Sequence, residues 1–304
     1  MLPAVLAASF FAISAVVSQR SSRIFGAVPA NFYRMCIACA VLGLLTWIVD
    51  SVNASTSLHR ETFWRFLLSG AVGFGIGDIA LFLAYARLGS RLTILINWCS
   101  AALFAAAGDW YLRQHALTIP QWVAVGCILS GLVTALWPGN AVRGTPHPVS
   151  GITFAIIAGI GMGVGTVLSG HAIDAGRTHG LEVPAISQTF QRSIAGVAAS
   201  ALSFLLIKYL PKRRPADTEK KWRHKPFWLI STALCGPVIG VCFYQWALST
   251  TGSSTIVVAI AATSTLLVIP LARMVEKDKP LLRQITGSVL AAAGIIVLKV
   301  YSTR

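Results

Sequence analysis

Trp64-Arg-Phe-Leu-Leu-Ser-Gly-Ala-Val-Gly-Phe-Gly-Ile-Gly-Asp78 and Phe227-Trp-Leu-Ile-Ser-Thr-Ala-Leu-Cys-Gly-Pro-Val-Ile-Gly-Val241 are one frame met twice, 163 positions apart. The register continues without a gap, so that Trp64–Gly131 lies on Phe227–Gly294. Gly73 meets Gly236, Gly77 meets Gly240 and Ala84 meets Ala247. Gly89-Ser90 meets Gly252-Ser253, Gln121 meets Gln284, and Gly131 meets Gly294. Apolar tracts alone produce chance Ala and Ile matches. They do not readily align both Gly-Ser turns, both loop glutamines and the glycines at once. Upstream, with a small insertion, Val28-Pro29-Ala30 and Phe32-Tyr33-Arg34 correspond to Val183-Pro184-Ala185 and Phe190-Gln191-Arg192. An internal repeat decides the architecture before any single residue does.

The repeated unit is lipid-embedded. Of the 304 residues 55% are hydrophobic and only 12% charged, where soluble domains carry about 25% charged residues. The mean hydropathy is +0.71. Apolar runs fall at residues 2–18, 30–49, 64–87, 91–108, 119–137, 151–170, 184–207, 227–249, 254–273 and 282–301. Each is long enough to cross about 30 Å of hydrocarbon as a helix, and the runs do not alternate as strands would. This excludes a soluble enzyme, a nucleic-acid-binding domain and a disulfide scaffold. The expected fold is an all-α polytopic membrane protein of ten transmembrane helices. Residues 1–137 form one five-helix repeat, 138–150 a linker, and 151–304 the second repeat. An odd number of crossings turns the second copy over, giving inverted repeats, a common build for alternating-access transporters.

Charge places the chain in the membrane. Lys and Arg number 25 against 10 Asp and Glu, and they gather between apolar runs, so the expected partner is the anionic headgroup layer rather than nucleic acid. Connections 1–2, 3–4, 5–6, 7–8 and 9–10 hold 17 Lys and Arg, and the opposite set with both termini holds six. The positive-inside rule puts the first set in the cytoplasm and both termini outside. Leu2–Val17 lacks a basic leader, which favours a retained first span. Cys36, Cys39, Cys99, Cys127, Cys235 and Cys242 all lie in apolar segments. No His cluster completes a site, so no metal and no cofactor is expected.

Asp78 is the acid at mid-span depth, where a carboxylate costs about 2.5–3.5 kcal/mol on insertion scales. It is protonated, paired or facing water, and is the expected coupling or substrate-amine site. Tyr85, Asn97, Trp98 and Ser100 in the first copy, with Tyr244, Gln245, Trp246, Thr263 and Ser264 in the second, make an aromatic and polar set. Such a set suits a small-molecule cavity; interhelical hydrogen bonding is the plainer reading of each member. Arg34 and Arg192 stand at repeat-matched helix starts, suited to headgroups or to guarding the cavity mouths. Gly159, Gly161, Gly163 and Gly165 read as small-residue faces that let helices approach closely.

Gly75-Ile-Gly77-Asp78 also spells the motif of intramembrane aspartyl proteases. That chemistry needs two acids sharing a proton, and Asp50 and Asp109 stand at span ends. No catalytic residue is therefore assigned.

The stretch Ala247-Leu-Ser-Thr-Thr-Gly-Ser-Ser254, followed by an apolar span, Glu276, Pro280, Gln284 and Gly294, resembles the EamA-type branch of the drug/metabolite transporter superfamily. The resemblance covers nearly the whole chain. Ser100 and Thr263 replace the family's helix-centre prolines, and Arg113 replaces its first-half Glu. The resemblance implies a multi-pass cell-membrane protein that moves amino acids or other small metabolites, usually on an ion gradient or by exchange. Spans 1, 3, 4, 6, 8 and 9 are expected to line the cavity, leaving 5 and 10 for packing or a homodimer. A non-transporting scaffold or lipid-handling protein of the same fold is the alternative.

Overall fold

The computed structural model describes residues 1–52, 57–114, 117–136, 148–209 and 225–268, with positions 271, 286–287, 289–290, 293–294 and 297 beyond. Among the described residues all regular structure is helical. The helices are α1 (Leu2–Phe25), α2 (Ala27–Val52), α3 (Arg60–Gly70), α4 (Asp78–Leu88), α5 (Ser90–Leu112) and α6 (Ile119–Leu136). They continue as α7 (Pro148–Thr178), α8 (Ala185–Tyr209), α9 (Lys225–Ala233), α10 (Val241–Thr251) and α11 (Ser254–Ala262). Two π-helical segments, π1 (Ala71–Gly77) and π2 (Leu234–Gly240), join α3 to α4 and α9 to α10 into single rods.

Among the described residues six rods are long and apolar enough to cross a membrane: α1, α2, α3–π1–α4, α5, α7 and α9–π2–α10. α8 forms where the seventh span was expected. Its Ser187, Gln188, Thr189, Gln191, Arg192 and Ser193 are all buried. Most of the tenth span, the 138–147 part of the linker, and Glu276, Pro280 and Gln284 fall outside the described residues.

The repeat is written into the backbone. Residues 71–77 and 234–240 are related by the same 163-residue shift as the sequence match, and both are π-helical. Gly89 and Gly252, matched by that shift, have φ of 79° and 75°. A side chain at either would meet the left-handed steric penalty, so glycine is required at both sharp turns.

Two helices outrun the expected spans. The apolar run ends near residue 18, but α1 continues to Phe25. Its extension buries Gln19, Ser21 and Ser22 on one side, with the Ser18 hydroxyl bonded to Thr232 and Ser22 donating to the Ser18 carbonyl at 2.8 Å. α7 continues past residue 170 to Thr178 because His171 and Asp174 find Arg65 and Arg113 as partners. Polarity ends an apolar run, but a helix goes on wherever its polar groups are satisfied.

α7 is the hub, and its glycines explain why. A Cβ on Gly159 would lie 2.5 Å from the Asn97 carbonyl, and one on Gly163 would lie 2.5 Å from the Ala101 carbonyl, both in α5. On the adjoining face, a Cβ on Gly161 would lie 2.7 Å from Gly77 Cα, and one on Gly165 would lie 3.0 Å from Gly73 Cα. The two i, i+4 pairs thus seat α7 backbone-to-backbone against α5 and π1 at once.

The outer surface is apolar. Trp47, Trp64, Trp110 and Tyr111 are all exposed and lie toward the end that carries the α2 and α5 C-termini. Tyr and Trp at headgroup depth form such a belt on membrane proteins.

Candidate functional site

Asp78 is the first residue after π1. Its carboxylate accepts from Arg34 Nη2 of α2 at 2.8 Å, with both side chains nearly buried. The guanidinium also lies over the Phe82 ring, 5.0 Å from its centroid. A cation drawn from water into this interior is held by a charge and a ring face together.

Arg192 comes from α8 and is 2% exposed. Its guanidinium sits over Phe74, 4.9 Å from the centroid, near enough to Asp78 for the charges to interact. Gly70 and Gly73 clear its path: a Cβ on Gly70 would fall 2.0 Å from the Arg192 carbonyl oxygen, and one on Gly73 would fall 3.0 Å from its Nη2. Both arginines therefore reach the buried centre, away from the headgroups that were one of the two places expected for them, the other being the cavity mouths. Two cations face one carboxylate there.

A cavity of about 70 Å³ adjoins the Asp78–Arg34 pair. Tyr85, Ile94, Asn97 and Trp98 wall one side, and Ser14 and Ser18 of α1 another. These residues carry it from mid-depth toward the end that holds the α4–α5 turn. It has room for a few waters and is smaller than the roughly 300–1,000 Å³ of a formed ligand pocket. Trp98 packs against Phe11 at 5.7 Å and Tyr244 at 6.5 Å, and its buried indole N–H has no hydrogen-bond acceptor among the described residues.

The structure thus brings together Asp78, Tyr85, Asn97, Trp98 and Arg34 of the expected set, with Arg192 alongside. Tyr244 stands behind Trp98, its hydroxyl bonded to Thr166 at 2.9 Å. Others lie elsewhere. Gln245 donates to the Ser169 hydroxyl at 3.2 Å. Trp246 is 49% exposed and stacks on Phe243 at the outer surface. Ser100 packs in the α7 seam, its Cβ facing Gly159. Thr263 Oγ1 donates back to the Ile260 carbonyl at 2.6 Å, and Ser264 is buried beyond it. Neither lines the cavity, which takes its second-copy wall from α7 at Ala158 and Met162, π2 at Gly236 and α10 at Val241 instead. Ser14 and Ser18 were not anticipated; their i, i+4 spacing in an apolar span was the available signal.

The partner of Asp78 is a cation, whereas aspartyl proteolysis needs a second acid at that place. The other buried acid among the described residues, Asp109, serves a different cluster. Its Oδ2 accepts from the Thr255 backbone N–H at 2.9 Å, from the Thr255 hydroxyl at 3.1 Å and from Ser253 at 3.3 Å, at the N-terminus of α11. Negative charge is favoured at that end of a helix. Arg113, one turn on, donates to Asp109 at 3.1 Å, to the Ser254 hydroxyl at 3.1 Å and to Asp174 of α7 at 2.8 Å. Gly170 makes room for it, since a Cβ there would lie 2.6 Å from Arg113 Cζ. Arg113, counted in the sequence as a loop cation, is a buried bridge between α5, α7 and α11. Its i, i+4 spacing from Asp109 was legible.

The charge-paired cavity and the latch lie on opposite sides of the rod midpoints. No curated protein matches this chain. A solved chain described as "Crystal structure of protein" superposes with a TM-score of 0.65 at 19% identity, covering 98% of this chain and 97% of that one, which shows a shared fold. The model of the EamA-like transporter family matches residues 1–137 and 149–300, and the chain accordingly belongs to that family.

Proposed function

We propose that the protein is a secondary-active transporter that exports small metabolites, amino acids or related compounds, across the cell membrane by alternating access. Its ten helices are two inverted five-helix repeats, 1–137 and 151–304, joined by 138–150. The observation that carries the reading is a buried, cavity-lining Asp78–Arg34 pair, toward one end of a bundle whose other end is bridged by the Asp109–Arg113–Asp174 cluster. That arrangement suits a carrier caught closed on one side, with the cavity still narrow. The charge count assigns the latched end to the outside and the cavity end to the cytoplasm.

Asp78 is the coupling group, exchanging a proton or cation as its pairing with Arg34 breaks and forms. Arg192 leaves the centre with an excess positive charge, and the unaccepted Trp98 N–H adds a donor. Both suit a substrate bearing a carboxylate.

Purified protein in vesicles, loaded with labelled metabolites and tested with and without a pH gradient, measures this directly. Asp78→Asn is expected to abolish gradient-driven transport. Because that change also strands Arg34, the Arg34→Gln/Asp78→Asn double variant is made alongside, keeping an uncharged hydrogen bond at the site. It is expected to restore the melting temperature but not the coupling. Gradient-driven transport at the wild-type rate in the double variant would give Asp78 a purely structural role.

A further inference from the structure

A second cavity, about 240 Å³, opens at the latched end, among α3, the α7 C-terminus, the 178–184 turn and the α10 C-terminus. It is larger than the central one and shares no lining residue with it. Its floor is Gln188, 2% exposed. The Gln188 amide nitrogen donates to the Val183 carbonyl at 2.8 Å and to the Ser249 hydroxyl at 3.1 Å. Among the described residues its carbonyl oxygen has no donor, but it is sealed from the cavity as well, so a ligand meets the charges of the rim rather than this oxygen.

The rim carries one charge of each sign. Arg177 is exposed and anchored by a hydrogen bond from Nη2 to the Ser249 carbonyl, which leaves its other N–H groups available. Glu182 is exposed on the facing turn and has no ion-pair partner among the described residues. Phe66, Ile173, Leu181 and Val183 supply the apolar wall.

We infer that this vestibule is a second binding site, for a compact zwitterion that carries an ammonium and a carboxylate on a small aliphatic body. The ammonium is received by Glu182, the carboxylate by Arg177, and the aliphatic part by the apolar wall between them. The site lies outside the Asp78 cavity, and its occupancy at equilibrium does not depend on transport.

The test is equilibrium binding to the solubilised full chain with three probes: L-valine, isobutylamine, which lacks the carboxylate, and isovalerate, which lacks the ammonium. Valine is expected to bind, and each single-charge probe to bind at least about tenfold more weakly, as the loss of one charge-assisted contact requires. Glu182→Gln and Arg177→Gln, both on the rim where folding is not at stake, should each weaken valine about tenfold with an unchanged melting temperature. Valine that does not bind, or that binds both variants as it binds the wild type, overturns the vestibule. Vesicle transport measured in parallel separates the two readings. Transport lost in Asp78→Asn with binding unaltered by Glu182→Gln removes the vestibule alone; Glu182-sensitive binding in a chain that transports nothing upholds it and removes the carrier reading instead.

Discussion

Arg113→Leu is expected to lower stability by about 3–5 kcal/mol, the cost of removing one partner from a buried ion pair and leaving the other charge uncompensated. Asp109 bears most of the loss, since its side chain is 1% exposed, whereas Asp174 at 35% is partly solvated and suffers less. Asp109 would retain the Thr255 N–H and hydroxyl but lose its cation. Leucine would also leave the Ser254 hydroxyl without its donor. A thermal melt followed by size-exclusion monodispersity measures the loss. Asp109→Asn in the same chain removes the stranded charge while keeping an oxygen for Thr255, and should recover more than half of it. A single variant that melts with the wild type would mean that the cluster holds nothing together. Because the bridge ties α5 of the first half to α7 and α11 of the second, the double variant should also loosen the contact between these helices.

Gly161→Leu is the second large effect. The Cβ alone would sit 2.7 Å from Gly77 Cα and 2.9 Å from Gly77 N. The obstacle is backbone, which cannot rotate aside as a side chain can. Overpacking of this kind costs about 1–3 kcal/mol where neighbours can yield, and here the seam itself must open. Opening it carries π1 away from α7, and Asp78 follows. The expected result is a lower melting temperature together with lost transport. Gly126→Leu is the comparison: a Cβ at Gly126 meets nothing within 4 Å, so it should melt within a few degrees of the wild type. Equal behaviour of the two would end the close-packing account.

The repeat, the helical class and the glycine faces were legible because each is a matter of spacing. A 163-residue register and an i, i+4 pair of glycines need no knowledge of what lies opposite. The site was legible only where depth spoke for itself. Asp78 stands out because lipid makes its charge costly, and Tyr85, Asn97 and Trp98 fell with it because the rods on either side of the Gly89 turn lie side by side.

What the sequence hid was which way a side chain faces and who meets it. Trp246 and Trp98 look alike in a string of letters, yet one lies on the outer surface and the other in the interior. Arg34 and Arg192 suited either headgroups or cavity mouths because they open apolar helices, and their inward course depends on Phe82, Phe74 and two glycines elsewhere in the chain. Arg113 had been placed by its neighbours in sequence, while its partners at 174 and 254 are distant in the chain.

The π segments have one more implication. An i→i+5 turn holds one residue more than an α-turn, and one residue advances the direction of side chains by about 100° at 3.6 per turn. π1 therefore resets the angular phase of α4 against α3, and Asp78 is the first position read in the new phase. Without that surplus residue the same letters would aim the carboxylate about a quarter-circle away. The second copy resets its phase at the matching place, but Val241 stands there in place of an acid. Both halves own the compass, and only one carries a needle that can titrate.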